Sequence, residues 1–144
     1  RHVGMDGFYT GQKQNVLKPG EFIEAVELPK PVRGHRFHAH KVSKRFEQDI
    51  SATCCALHYR LAKGVLKDVR LAYNGLTPWP ARAPKIEAVL EGRAPADVTA
   101  QALDAAIAAS FTPRDGLRAT WTYRALIARN LVLQFLESAA EETV

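Results

Sequence analysis

The stretch "TCCALHYRLAKGVLKDVRLAY", residues 53–73, leaves little choice of local structure. In its first half Thr53, Cys55, Leu57, Tyr59 and Leu61 recur at every second position, so a strand would gather them on one face. After "AKG" the pattern resumes with Val65, Val69, Leu71 and Tyr73, interrupted only by Lys67. Two runs of period two joined by a short Gly-containing connection predict a β-hairpin with one face on a core.

The flanks extend this sheet on one side only. Upstream, "EFIEAVELP" is rich in strand-compatible residues and stops at Pro29 and Pro31, and "HRFHAHKV" reads as a further extended segment, with "KPVRG" connecting them. Residues 1–20 carry Gly and Pro punctuation and read as loop. Beyond the hairpin, "NGLTPWPARAP" is a turn and a Pro-rich crossover, and from residue 83 strand signals vanish. "PKIEAVLEG" spaces Ile86, Val89 and Leu90 for a helix. "PADVTAQALDAAIAASF" is expected to start at Pro95 and Asp97 and to carry Val98, Leu103 and Ile107, ending at Pro113. In the last helix Tyr123, Leu126, Ile127, Leu131 and Phe135 trace an apolar stripe. The expected class is therefore α+β: an antiparallel sheet of three to four strands over about residues 21–75, packed against about three helices over about residues 83–140.

Charge is unevenly placed. Of a formal net +5, six Lys or Arg lie between Lys30 and Phe46 (Lys30, Arg33, Arg36, Lys41, Lys44, Arg45) with no carboxylate, leaving 14 basic against 15 acidic residues elsewhere. No apolar stretch approaches the roughly 20 residues that a membrane-spanning helix needs. Cys54 and Cys55 are the only cysteines; as strand neighbours they point to opposite faces, lack a C-x-x-C spacing, and fit packing thiols in a reducing cytoplasm. The opening "RHVGMDGFYT" has no signal-peptide core, starts without Met and is Gly-rich, which suggests a piece of something longer.

The run "GHRFHAHKVSKRFEQDIS" poses the chemical question. His35, His38 and His40 could ligate a metal, but on a strand His38 and His40 share a face that His35 does not, and no Asp, Glu or Cys of the segment completes a shell. The six cations from Lys30 to Arg45, with Phe37 and Phe46, would suit phosphates and stacked bases, although Glu47 and Asp49 follow at once and no RRM, KH or helix-turn-helix signature is present. No nucleophile elbow, P-loop or dinucleotide fingerprint occurs. Read on its own residues, the chain leaves open a stand-alone basic module for nucleic acid or an acidic protein.

Four blocks in fixed order then carry a resemblance: "FYTGQKQNVLKPGEFIEAVELP", "KVSKRFEQDIS", "LAYNGLTPWPARA" and "YRALIARNLVLQFL". Together the chain resembles the C-terminal domain of the FAD-binding subunit of molybdenum hydroxylases, the xanthine dehydrogenase and carbon monoxide dehydrogenase flavoprotein family, and is most similar to its bacterial xanthine dehydrogenase members. The resemblance implies a domain at 21–144, with 1–20 leading from an upstream FAD-binding domain of the same subunit. It implies further partners that carry molybdopterin (a large subunit) and 2Fe-2S clusters (a domain or subunit), electrons reaching NAD through FAD, a cytoplasmic setting, and no nucleic-acid or membrane partner. The chain by itself would have no dehydrogenase activity.

Residue by residue, the resemblance places Lys41, at the head of the "K-x-S-K-R" block, near the flavin, and Ile23, two after the Glu of "P-G-E", against the cofactor. The segment from Val42 to Asp49, with Ser43, Lys44, Arg45, Gln48 and Asp49, matches a family loop close to the ring. Phe46 stands where the family pattern has an Arg, so an ion pair made by that Arg has no counterpart here. Arg118, Tyr123, Arg124 and Asn130 match the family's closing helix and imply fold and subunit packing.

Overall fold

The structure is a computed structural model, and it describes residues 1–45 and 50–141. Four antiparallel strands form the sheet in the order β3 (His35–Val42), β4 (Thr53–Ala62), β5 (Val65–Asn74) and β6 (Ala81–Arg82). Helices α1 (Pro84–Leu90), α2 (Ala100–Ser110) and α3 (Trp121–Glu141) cover one face of it. The α+β class and its sheet-then-helices order are as expected.

The hairpin forms for the reason its pattern suggests. Lys63 and Gly64, both at positive φ (52° and 78°), make the two-residue turn whose twist matches that of antiparallel strands. Thr53, Cys55, Leu57 and Tyr59 are buried, as are Val69, Leu71 and Tyr73. The alternation breaks at Lys67 because Asp68, at φ 56°, bulges: His58 faces Arg70, whereas Arg60 faces Lys67, so Tyr59 lies across from two residues. Past the bulge the faces swap. Leu66, not the expected Val65, enters the core, and Lys67 turns outward to Glu91 at 3.5 Å.

Three further expectations are corrected. Residues 1–20 are not all loop, since β1 (Tyr9–Gly11) and β2 (Gln14–Asn15) pair as a small ribbon. "EFIEAVELP" is not a strand. Pro29 and Pro31 lack the N–H a ladder needs, and Phe22 (80% exposed), Val26 and Leu28 have no inner face to cover. The second helix starts later than expected: Pro95–Asp97 is a separate 3₁₀ turn, and the Thr99 hydroxyl caps α2 by accepting from the Ala102 N–H at 3.2 Å.

In α3 the inward face also differs from the expected stripe. Leu131 and Phe135 are buried, but Tyr123 and Leu126 are exposed, and the face is completed by Arg124, Ala128, Val132, Leu136 and Ala139. Two contacts set this rotation. The Tyr73 hydroxyl donates to the Ala128 carbonyl at 2.9 Å across the sheet–helix interface, and the Arg124 side chain reaches the ends of two strands. The first engages a main-chain carbonyl and the second a charged side chain, so neither follows from hydrophobicity.

Candidate functional site

Register decides which side chains leave the core. His38 pairs with Leu57, His40 with Cys55 and Val42 with Thr53, so these face inward; His35, Phe37, Ala39 and Lys41 face outward. His38 and His40 thus share a face that His35 does not, as the alternation implies. The outward face is built of cross-strand rows: Lys41, Cys54 and Asn74 at one end, then Ala39, Ala56 and Ala72, then Phe37, His58 and Arg70. Three alanines keep the middle low and flat. Phe37, 68% exposed, stands at its side, and exposed Lys41 stands at its end.

Lys41 is the penultimate residue of β3, which ends on a closed neck. The Ala52 N–H donates to the Val42 carbonyl at 2.8 Å, so the chain leaving at Ser43 returns beside its point of departure. Ser43 is half-buried, and Lys44 and Arg45 are exposed just beyond. Gln48 and Asp49 lie outside the described residues, as do Phe46 and Glu47. Ile23 belongs to no strand and is 56% exposed. The structure therefore gathers Lys41, Ser43, Lys44 and Arg45 at one corner of the sheet.

The eye-catching histidines do other work. The His38 ring packs between Tyr59 and Phe135, with centroids 5.8 and 5.2 Å away and Nε2 at 3.2 Å from the Tyr59 hydroxyl. His35 Nδ1 meets His58 Nε2 at 3.0 Å, so one nitrogen donates and the other accepts. Beside them Asp68 pairs with Arg60, whose guanidinium holds its carboxyl below the usual carboxylate range. That group sits at the start of β3, roughly 20 Å from Lys41 at the rise of an extended strand. Among the described residues no three His, Cys, Asp or Glu come together as a metal shell.

On the inner side, Glu87 of α1 is buried and fully engaged. It accepts from the Leu71 N–H at 2.8 Å and from Arg82 Nε and Nη2 at 2.9 and 2.6 Å, tying α1 to β5 and β6. Arg82 also reaches Asp6 at 3.2 Å, which seats the N-terminal ribbon on a cleft of roughly 420 Å³ lined by Met5, Tyr9 and Trp79.

A family model described as the CO dehydrogenase flavoprotein C-terminal domain matches residues 38–139. The chain belongs to that family. Xanthine dehydrogenase/oxidase of Gallus gallus is 34% identical over 96 residues, 65% of this chain and 7% of that protein. Among solved structures, carbon monoxide dehydrogenase from Hydrogenophaga pseudoflava, in a form lacking the Mo-pyranopterin moiety of the molybdenum cofactor, aligns with a TM-score of 0.75 and 27% identity, covering 89% of this chain and 44% of that one. A cyanide-inactivated Cu,Mo-CO dehydrogenase aligns at 0.79 with 25% identity, covering 93% and 46%. The chain spans less than half the length of these proteins. It is a flavoprotein C-terminal domain of the molybdenum hydroxylases, whose relatives are oxidoreductases.

Within the flavoprotein C-terminal domain, the matched region takes in Lys41, Ser43, Lys44, Arg45, Gln48 and Asp49 and leaves out Ile23. Two residues that tie helices to the sheet give little local sign in the sequence. Glu87 looks like any solvated helix carboxylate, and Arg124 like any helix cation. Only the fold shows Arg124 Nη1 donating to the carbonyls of Ala52 at 2.9 Å and Gly75 at 2.5 Å, at the same corner as Lys41.

Proposed function

We propose that this domain forms one wall of an FAD site in a molybdo-flavoenzyme of the xanthine dehydrogenase type, with Lys41 beside the flavin ring. The observation that carries the reading is the corner itself: an exposed Lys41 at the end of a flat, alanine-floored sheet face, inside the region matched to a flavoprotein family. A planar ring needs a low surface, and its gain of electrons is favoured by a fixed cation nearby. The residues present fit such a group.

When bound, FAD supplies the passage of electrons from iron–sulfur clusters onward to NAD. This chain contributes position and field. Lys41 favours the more negative reduced state, and Lys44 and Arg45 extend the positive potential toward dinucleotide phosphates. Ser43, Gln48 and Asp49 supply hydrogen-bonding groups along the same segment, and Ile23, on the approach to the sheet, shields the ring from water. Residues 1–20 lead in from the FAD-binding domains of the same subunit. A molybdopterin-binding subunit and an iron–sulfur domain or subunit complete the enzyme in the cytoplasm, where Cys54 and Cys55 stay reduced.

Co-production with the upstream FAD-binding domains tests this. The expected product is a yellow subunit whose flavin is lost when residues 21–144 are removed. If no flavin is retained and the isolated chain instead binds DNA with a steep salt dependence, the domain is a basic nucleic-acid module.

A further inference from the structure

Three strand ends meet at the Lys41 corner, and one side chain holds them. Val42 closes β3, Ala52 leads into β4, and Gly75 follows β5. From α3, buried Arg124 donates Nη1 to the Ala52 and Gly75 carbonyls, and Nε to the Ala119 carbonyl at 3.4 Å. Ala52 passes the constraint on through its N–H to the Val42 carbonyl, one residue from Lys41. The outward row Lys41, Cys54, Asn74 therefore rests on an end of the sheet whose carbonyls are tied to a helix on the opposite face.

We infer that Arg124 is a positioning residue for the flavin: by clamping the Ala52 and Gly75 carbonyls it fixes the strand ends that carry Lys41. This rests on the reading of Lys41 as a residue beside the ring. A planar guanidinium suits the task because its donors lie in a rigid fork, whereas a lysine ammonium is a single point on a flexible stem. Lysine keeps the charge and loses the geometry, which separates the two contributions.

The experiment is a midpoint-potential titration of the FAD-loaded subunit for wild type, Lys41→Ala, Arg124→Lys, Arg124→Gln and the double variant Lys41→Ala/Arg124→Lys, with amide hydrogen exchange on each. Lys41→Ala and both Arg124 variants are expected to lower the flavin potential. Arg124→Lys is expected to speed exchange of the Ala52 amide by about tenfold and to have no further effect on potential once Lys41 is alanine. If Arg124→Gln does not fold, the Lys variant alone decides. Wild-type potentials in the Arg124 variants, with Lys41→Ala shifted, would overturn this inference and leave the flavin reading standing. A shift that persists undiminished without Lys41 would also overturn it, because Arg124 would then act on the flavin by a route other than Lys41. No shift in Lys41→Ala would remove the reading of Lys41 and the inference with it.

Discussion

Gly75 and Ala52 touch backbone to backbone. A Cβ at Gly75 would lie 2.4 Å from the Ala52 carbonyl oxygen, and Gly75 holds φ at +96°. Space and conformation both demand glycine where the crossover leaves β5. Gly75→Ala is expected to cost about 3 kcal/mol, from backbone strain together with displacement of Ala52. Urea denaturation measures it, and a loss below about 1 kcal/mol would show that the corner yields easily.

Thr53, next along the chain, is fully buried with its hydroxyl unpartnered among the described residues. Valine has nearly the same shape and no hydroxyl to desolvate. Thr53→Val is expected to stabilise the domain by about 1 kcal/mol, seen as a higher denaturation midpoint at unchanged slope. A loss of stability would mean that the hydroxyl has a partner in the folded protein.

Glu87 ties α1 to the sheet through the Leu71 N–H and Arg82. Glu87→Ala strands both donors and is expected to cost about 3 kcal/mol. Glu87→Gln retains an acceptor for Leu71 and should cost about 1 kcal/mol. Equal losses in the two variants would assign the effect to charge alone.

What could be read in advance followed simple periodicities. Alternation from Thr53 to Tyr59 is uninterrupted, so the hairpin follows from counting by twos, whereas the register that sets Lys41 opposite Cys54 came only with the fold. The Asp68 bulge was hidden because no residue there demands positive φ, and it moved the inward position from Val65 to Leu66. "EFIEAVELP" shows how far composition goes: it reports a preference for extended backbone, whereas a strand also needs a neighbour to bond. The resemblance gave Arg124 a part in fold and packing, but its clamp was not legible for another reason. Its carbonyl partners lie 72 and 49 residues earlier, and a helix arginine is ordinarily solvated, so nothing local marks it as a clamp.

The two adjacent thiols should behave differently. Burial pushes the Cys55 thiol up to about 12 from 9.0, whereas Cys54 is half-exposed on the outer face. Iodoacetamide at pH 8 is expected to label Cys54 in the native chain and Cys55 only after unfolding, as peptide mass spectrometry can read. The same shift gives a direction with pH. The folded state keeps Cys55 neutral while the unfolded chain ionises it, so this group's contribution to stability is intact below pH 9 and declines as pH rises toward 12.

The most direct test of the whole account is the flavin midpoint potential of Lys41→Ala in the complete FAD-binding subunit. Losing a cation beside the ring is expected to lower it by on the order of 30 mV, the two-electron equivalent of about 1.4 kcal/mol. A potential equal to that of the wild type would place Lys41 away from the flavin and contradict the assignment of this sheet corner to the cofactor.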